Sequence, residues 1–243
     1  MKKIVSRKVK LPYNAVNWLL EPLSAGGWIS WEAVFNNSNP VEVEIGPGKG
    51  EFLEYIALLK PSTNFLGIEK NGKYFSKALA RISNNRLSNV KLIKGEALSI
   101  FQNNIPPATI SAIHIYFPDP WWKRRHWKRR LLNPQFIQLL WKSLNNDSGG
   151  LFLATDVKEY FDLIVLISSN YFKLEERKVE MNLPWKSKFS SQALLNKRPI
   201  YFAKFTPNKI VDFAKEESNQ SVFVYFNRSQ YFTPDKAGKI SNI

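Results

Sequence analysis

The sequence contains no cysteine and only two histidines, His114 and His126. The first absence removes disulfide frameworks, thiolate nucleophiles and cysteine-built zinc sites. The second leaves too few imidazoles for a histidine-built site, so no bound metal is expected. Long hydrophobic runs are missing too. The longest, such as Leu163–Ile167, fall far short of the ~20 residues a membrane-crossing helix needs. Met1–Lys10 is basic but is followed by no apolar stretch of the secretory-signal kind. A soluble, cytoplasmic protein without membrane association is the expectation. Acidic residues are also scarce: 20 Asp plus Glu face 35 Lys plus Arg, for a net charge of +15. That excess favours a polyanionic partner, nucleic acid or an acidic membrane surface, although a generally basic proteome would produce it as well. Apolar residues are plentiful, at 44% hydrophobic and 14% aromatic. A sizeable core can form, and a wholly disordered chain is excluded.

Strand and helix patterns alternate from Val41 to Ser169. Val41–Ile45 reads as a β-branched strand that ends in Gly46-Pro47-Gly48-Lys49-Gly50, and Glu51–Lys60 has apolar residues at helical spacing, closed by Pro61. Asn64–Ile68 is a second strand running into Glu69, Tyr74–Ile82 a helix, and Val90–Ile93 a third strand before Gly95-Glu96. Ile110–Phe117 is nearly continuous in apolar residues, as a strand buried on both faces would be. After the polar stretch Pro118–Arg130, Pro134–Leu144 reads as a helix with Asn133 as N-cap and Pro134 in its first position. Leu151–Thr155 is a fifth strand, Val157–Ser169 a helix, and Tyr171–Val179 and Pro199–Phe205 later strands. The expected fold is α/β: a doubly wound, mostly parallel, Rossmann-like sheet with helices on both faces. Residues 1–39 form a lead-in packing on the domain, 40–205 the domain itself, and 206–243 a C-terminal extension.

Three constellations carry chemistry. In Glu44-Ile45-Gly46-Pro47-Gly48-Lys49-Gly50 the glycines allow a tight turn and close approach of backbone to a ligand. A carboxylate beside that loop repels a pyrophosphate and attracts a cation, and the third glycine comes one residue too early for a dinucleotide fingerprint. Glu69 ends the next strand where nucleoside-binding α/β folds place a ribose-binding acid, and Glu96 follows the third strand, positioned to accept from an adenine amino group. The third constellation is Phe117-Pro118-Asp119-Pro120-Trp121-Trp122-Lys123-Arg124-Arg125-His126-Trp127-Lys128-Arg129-Arg130. Asp119 is expected at the strand's C-terminal end between two conformation-limiting prolines. The cations after it, Arg124 and Arg125 among them, suit phosphates, and the interleaved tryptophans suit bases.

The glycine segment resembles the motif of S-adenosylmethionine-dependent methyltransferases. The Phe117–Leu131 stretch resembles the signature F-[PS]-D-P-W-x-K-[KR]-[RK]-H-x-K-R-R-L of the bacterial tRNA (guanine-N7)-methyltransferases. With EIGPGKG, GIEKN, GEA and ATD in the same order, the resemblance runs from about Lys8 to Phe205. It implies that S-adenosyl-L-methionine is the cofactor and that Glu44, Gly46, Gly48, Glu69, Glu96 and Asp119 bind it. Asp119 is also the implied catalytic residue. Lys123 and Asp156 match positions that contact tRNA, with Arg124 and Arg125 beside them. The family carries a late T-x-[FY]-E motif before its last strand; the nearest match here, Ser187-Lys188-Phe189-Ser190, lacks the glutamate, which implies weakened cofactor contact there.

The implied reaction is methyl transfer to N7 of a guanine in the tRNA variable loop. N7 carries a free lone pair and needs no deprotonation, so positioning is the main task, with Asp119 stabilising the charge that develops on guanine and residues 121–130 holding tRNA. His126 suits an RNA-contact or packing role, and His114, inside an apolar strand, a core or cofactor-adjacent role and not a catalytic one. Action without an obligate protein partner, as monomer or homodimer, is implied. Two alternatives stand: methylation of another nucleic-acid base, and a non-catalytic RNA-binding module on the same scaffold. The order Pro-Asp-Pro-Trp argues against an exocyclic amine as acceptor, since amine-directed enzymes use Asn/Asp-Pro-Pro-aromatic.

Overall fold

A computed structural model describes residues 15–23, 27–121, 124–145, 147–181, 183–209 and 211. The chain divides into two compact units, residues 1–104 and 105–243.

In the first unit, β1 (Val41–Ile45), β2 (Asn64–Glu69) and β3 (Val90–Lys94) pair in parallel, with Val43 opposite Leu66 and Gly67 opposite Leu92. Parallel neighbours need crossover connections. Helices α2 (Glu51–Leu59) and α3 (Gly72–Asn84) supply them, though two shorter helices precede and follow this set: α1 (Trp31–Phe35) and α4 (Ala97–Asn103). Leu53 of α2, Leu79 and Ile82 of α3, and Phe65, Val90 and Leu92 of the strands bury together in one core. Helix α3 begins two residues earlier than its apolar spacing predicts. The Asn71 side chain accepts from the backbone N–H groups of Lys73 and Tyr74, at 3.0 and 3.2 Å, and such a cap contributes about 1 kcal/mol. The lead-in closes the β3 edge: Leu20 N–H donates to the Leu92 carbonyl and Trp18 Nε1 to that of Leu87, both at 2.9 Å.

In the second unit, β4 (Ile110–Tyr116) runs parallel to β5 (Gly150–Thr155), while β7 (Ile200–Pro207) is antiparallel to both β5 and β6 (Phe172–Glu180). Helix α5 (Pro134–Ser143) is capped by Asn133, whose side chain accepts from Phe136 N–H at 3.0 Å, and Pro134 opens it as expected. Helix α6 (Lys158–Ser168) follows β5. His114 is buried in β4, stacked on Phe152 at 5.0 Å between ring centroids, with Nδ1 2.9 Å from the Tyr116 hydroxyl. Of the two roles expected of it, this packing is the core one. The strands and helices alternate as expected, and the described pairings are parallel except at β7.

Three helices go beyond the sequence expectation: α1, α4 and α7 (Lys188–Leu195). At five, seven and eight residues they are too short for a periodicity to stand out. Helix α7 gives Ser187-Lys188-Phe189-Ser190 a different meaning. Ser187 is its N-cap, Ser190 N–H donates to Ser187 Oγ at 3.1 Å, and Ser187 N–H donates to Ser190 Oγ at 2.8 Å. This is a reciprocal capping box, in which glutamate or glutamine usually takes the fourth position. The buried Ser190 does the same with a shorter arm, so the helix end stays closed without the carboxylate. Residues 212–243, most of the expected C-terminal extension, lie outside the described residues.

Candidate active site

In the first unit, β1 places Glu42 and Glu44 on one face, two residues apart along the strand. Both are buried, and their fates differ. Glu42 accepts from Lys60 Nζ at 2.8 Å. Glu44, 4% exposed, has its Oε2 buried with no hydrogen-bond partner. Burial pushes its carboxyl well above the ordinary carboxylate range, and repulsion from Glu51 and Glu69 adds to the effect. A buried, unpartnered carboxylate is costly by itself and is relieved by a cation.

The glycine loop leads from Glu44 to α2, and Glu51 opens that helix. Gly48 has φ +60° with open space where a Cβ would stand, so its backbone conformation, not crowding, calls for glycine. Its N–H donates to Glu69 Oε2 at 3.1 Å, while Asn71 N–H donates to Oε1 at 2.7 Å. Glu69 is therefore fixed at the end of β2 by backbone donors on both of its oxygens. Burial raises its pKa, with those backbone hydrogen bonds and Lys70 acting in the opposite direction. A carboxylate has about four lone-pair sites, so Glu69 keeps acceptor capacity for a ligand hydroxyl. Gly50 has φ +77°, and a Cβ there would stand 3.3 Å from Ala78 Cα of α3. Arg81 of α3 braces the loop by donating Nε to the Lys49 carbonyl at 2.9 Å and pairing with Glu54. Glu96, one strand further out, is exposed and lies 3.7 Å from Lys70 Nζ.

The second unit carries the Pro-Asp-Pro turn directly after β4. Phe117 N–H still donates to the Ala154 carbonyl of β5 at 2.7 Å. The turn then reverses sharply: Phe117 has φ +52° and Trp121 φ +45°. Left-handed backbone costs about 1–2 kcal/mol for a residue with a Cβ, and two bulky residues adopt it on either side of Asp119. Pro118 is buried and Asp119 exposed. A 3₁₀ turn, Arg124–Arg129, follows. Arg125 is exposed, its Nε 3.2 Å from His126 Nε2, and His126 packs edge-on against Trp121 at 5.5 Å between centroids. The exposed Arg129 lies over the Trp121 ring at 5.4 Å. Arg130 departs from the expectation that residues 121–130 all serve tRNA. It is 2% exposed, donates Nε to the Pro120 carbonyl at 2.8 Å, and covers Tyr160 at 5.2 Å from the ring centroid.

Of the expected site residues, Glu44, Gly46, Gly48 and Glu69 gather around the loop of the first unit. Asp119 and Arg125 stand exposed in the second unit. Asp156, just past β5, forms an ion pair with Arg198 at 2.7 Å, a partner that no local sequence signal indicates. Lys123 lies outside the described residues, as does the side chain of Arg124. The sequence reading missed Glu51 and Arg81. Glu51 had a signal, being the first residue after the glycine run; Arg81 had none. Among the described residues no cluster of metal-ligating side chains occurs, and no helix is long and apolar enough to cross a membrane.

A family model described as "Putative methyltransferase" matches residues 38–203, more than half of the chain. A curated protein of Buchnera aphidicola subsp. Schizaphis graminum, named tRNA (guanine-N(7)-)-methyltransferase, is 38% identical over 68% of this chain and 67% of its own length. One of the same name from Bordetella pertussis is 41% identical over 53% of this chain. The chain spans 62% and 50% of the length of the first curated relatives it matches. Among solved structures, an antibiotic-related methyltransferase superposes with a TM-score of 0.55 at 16% identity, over 71% of this chain and 90% of its own. That likeness shows the fold, a Rossmann-like methyltransferase sheet. By the family model and by its curated relatives, the chain belongs to the tRNA (guanine-N(7)-)-methyltransferase family.

Proposed function

We propose that the protein transfers a methyl group from S-adenosyl-L-methionine to N7 of a guanine in tRNA, in the variable loop as the family resemblance implies. The observation that carries this reading is the buried, unpartnered Oε2 of Glu44 beside a backbone-exposing glycine loop. A pyrophosphate would meet three carboxylates there, Glu44, Glu51 and Glu69, whereas a cationic nucleoside matches them. The bound cofactor would supply an electrophilic methyl group on a positively charged sulfonium.

The side chains of this chain then have distinct tasks. Glu44 accepts from the cofactor's cationic amino-acid portion. Glu69, fixed by Gly48 and Asn71, accepts from ribose hydroxyls with its remaining lone pairs. Gly46 and Gly48 keep backbone close to the ligand, and Glu96 accepts from the adenine amino group. Asp119, which the resemblance also assigns to the cofactor, accepts hydrogen bonds from the Watson–Crick edge of guanine. Those bonds strengthen as the ring becomes cationic. Guanine N7 has a free lone pair, so no general base is required. Lys123, Arg124, Arg125 and Asp156 serve tRNA, Asp156 by orienting Arg198. The protein acts in the cytoplasm without an obligate partner subunit.

The test is methyl transfer from labelled S-adenosyl-L-methionine to unmodified tRNA transcript, with nucleoside analysis of the product. 7-Methylguanosine made by the wild type and lost in Asp119→Asn is the expected result. Binding of tRNA with no transfer overturns the enzyme reading in favour of an RNA-binding module, and a different methylated base overturns the assignment of N7.

A further inference from the structure

Arg130 closes a basic run that otherwise suits RNA, yet its guanidinium is buried and points back into the protein. Its Nε donates to the carbonyl of Pro120, the residue directly after Asp119. The guanidinium plane lies over Tyr160 of α6, a side chain with no exposed surface. Burial raises the Tyr160 hydroxyl well above its ordinary value, so the ring stays a neutral phenol beneath the cation. The field of Asp119 reaches that hydroxyl, which puts Asp119 in the same neighbourhood. Burial lowers Arg130 itself to about 10, which leaves it a cation at neutral pH. Arg129 covers Trp121, the next residue of the turn. Two consecutive arginines thus grip two consecutive residues of the turn that presents Asp119. That turn needs gripping, because both Phe117 and Trp121 hold left-handed backbone that a free chain would abandon.

We propose that Arg130 is a positioning residue for the methyl-transfer reaction: braced on Tyr160, it holds the Pro120 carbonyl and so fixes Asp119, and it does not contact tRNA. The inference rests on the reading of Asp119 given above. A rigid guanidinium can stack on a ring and donate from its edge at once, which a lysine ammonium cannot. Small displacements of a reacting group are expensive, so Arg130→Lys should lower kcat about 100-fold, the loss that a misplacement near 1 Å brings. The affinities for S-adenosyl-L-methionine and tRNA, and the salt dependence of tRNA binding, should stay as in the wild type.

The experiment compares wild type, Arg130→Lys, Asp119→Asn and the double variant for kcat, tRNA Kd at several salt concentrations, and Tm. Arg130→Ala is assayed with and without millimolar methylguanidinium. A fall in kcat at unchanged tRNA Kd, no further loss when Arg130→Lys is added to Asp119→Asn, and recovery of Arg130→Ala by methylguanidinium support the proposal. A weaker tRNA Kd with a shallower salt slope overturns it, because Arg130 is then an RNA contact. Additive losses, or an Arg130→Ala variant that methylguanidinium does not restore, overturn it in favour of general destabilisation. Full activity of Arg130→Lys with Asp119→Asn inactive overturns this inference alone; full activity of Asp119→Asn overturns the reading of Asp119 and this inference with it.

Discussion

Replacing Glu44 with Gln keeps the shape of the side chain and removes its charge. In the folded protein burial, with Glu51 and Glu69, keeps Glu44 protonated to higher pH than in the unfolded chain. Between the ordinary carboxylate value and the raised one, the folded state therefore binds more protons than the unfolded state. Stability contributed by Glu44 is complete below the ordinary value and falls as pH rises towards the raised one. Gln does not titrate, so the wild type should lose about 1.4 kcal/mol relative to the variant for each unit by which folding raises the pKa. Cofactor binding carries the opposite sign. A cation favours the carboxylate, so binding expels a proton and tightens as pH rises until Glu44 is ionised in the free protein. A hydrogen bond to a charged group is worth about 1.5–3 kcal/mol, so Gln should weaken S-adenosyl-L-methionine binding roughly 10- to 100-fold. Urea melts of both proteins from about pH 5 to 8 read the first effect. Calorimetry in two buffers of different ionisation enthalpy reads the second, as proton release by the wild type alone. Parallel stability profiles, or equal cofactor affinity for the two proteins, would refute the reasoning.

Other positions give equally direct tests. Asp119→Asn should reduce kcat about 10²–10³-fold, the usual cost of losing one aimed electrostatic partner, with little change in Tm because the residue is exposed; wild-type turnover would end the assignment. Gly50→Ala should destabilise the fold by about 1–2 kcal/mol in denaturant melts, since its φ is +77° and α3 backbone stands 3.3 Å from the new carbon. An unchanged midpoint would mean that the loop does not need this conformation. Arg125→Ala should weaken tRNA binding and reduce the salt slope by about 0.7–0.9 for one lost phosphate contact, read from Kd against salt concentration; an unchanged slope removes Arg125 from the RNA surface.

Much of this protein is local enough to be read from its sequence. The glycine run turns β1 into α2 because its three glycines, in alternate positions, hold positive φ, and Glu44 and Glu69 lie at or next to the last residue of their strands. The Pro-Asp-Pro turn is written in its prolines, and the Asn71 and Asn133 caps act within three residues along the chain. The short helices escaped because five to eight residues carry too little periodicity. The serines before α7 were legible as a departure from a motif, but not as a cap that still closes.

Contacts between residues distant in sequence decided the rest. Glu42 and Glu44 look identical in the alternation VEVEI, yet Lys60 reaches only Glu42, and Glu44 keeps a buried oxygen without a hydrogen-bond partner among the described residues. Asp156 turns to Arg198, and Arg81 crosses from α3 to brace the glycine loop. The direction of β7, antiparallel to both its neighbours, follows from which strands it meets and not from its own residues. In a run of like charges, nothing in the sequence separates Arg125, in solvent, from Arg130, under which Tyr160 lies. Periodicity, glycines, prolines and caps are properties of neighbouring residues, so the sequence alone determined the order of elements and the chemistry available at each strand end. Burial and pairing of charges depend on packing, so only the tertiary structure decided which of those charges are spent on the fold.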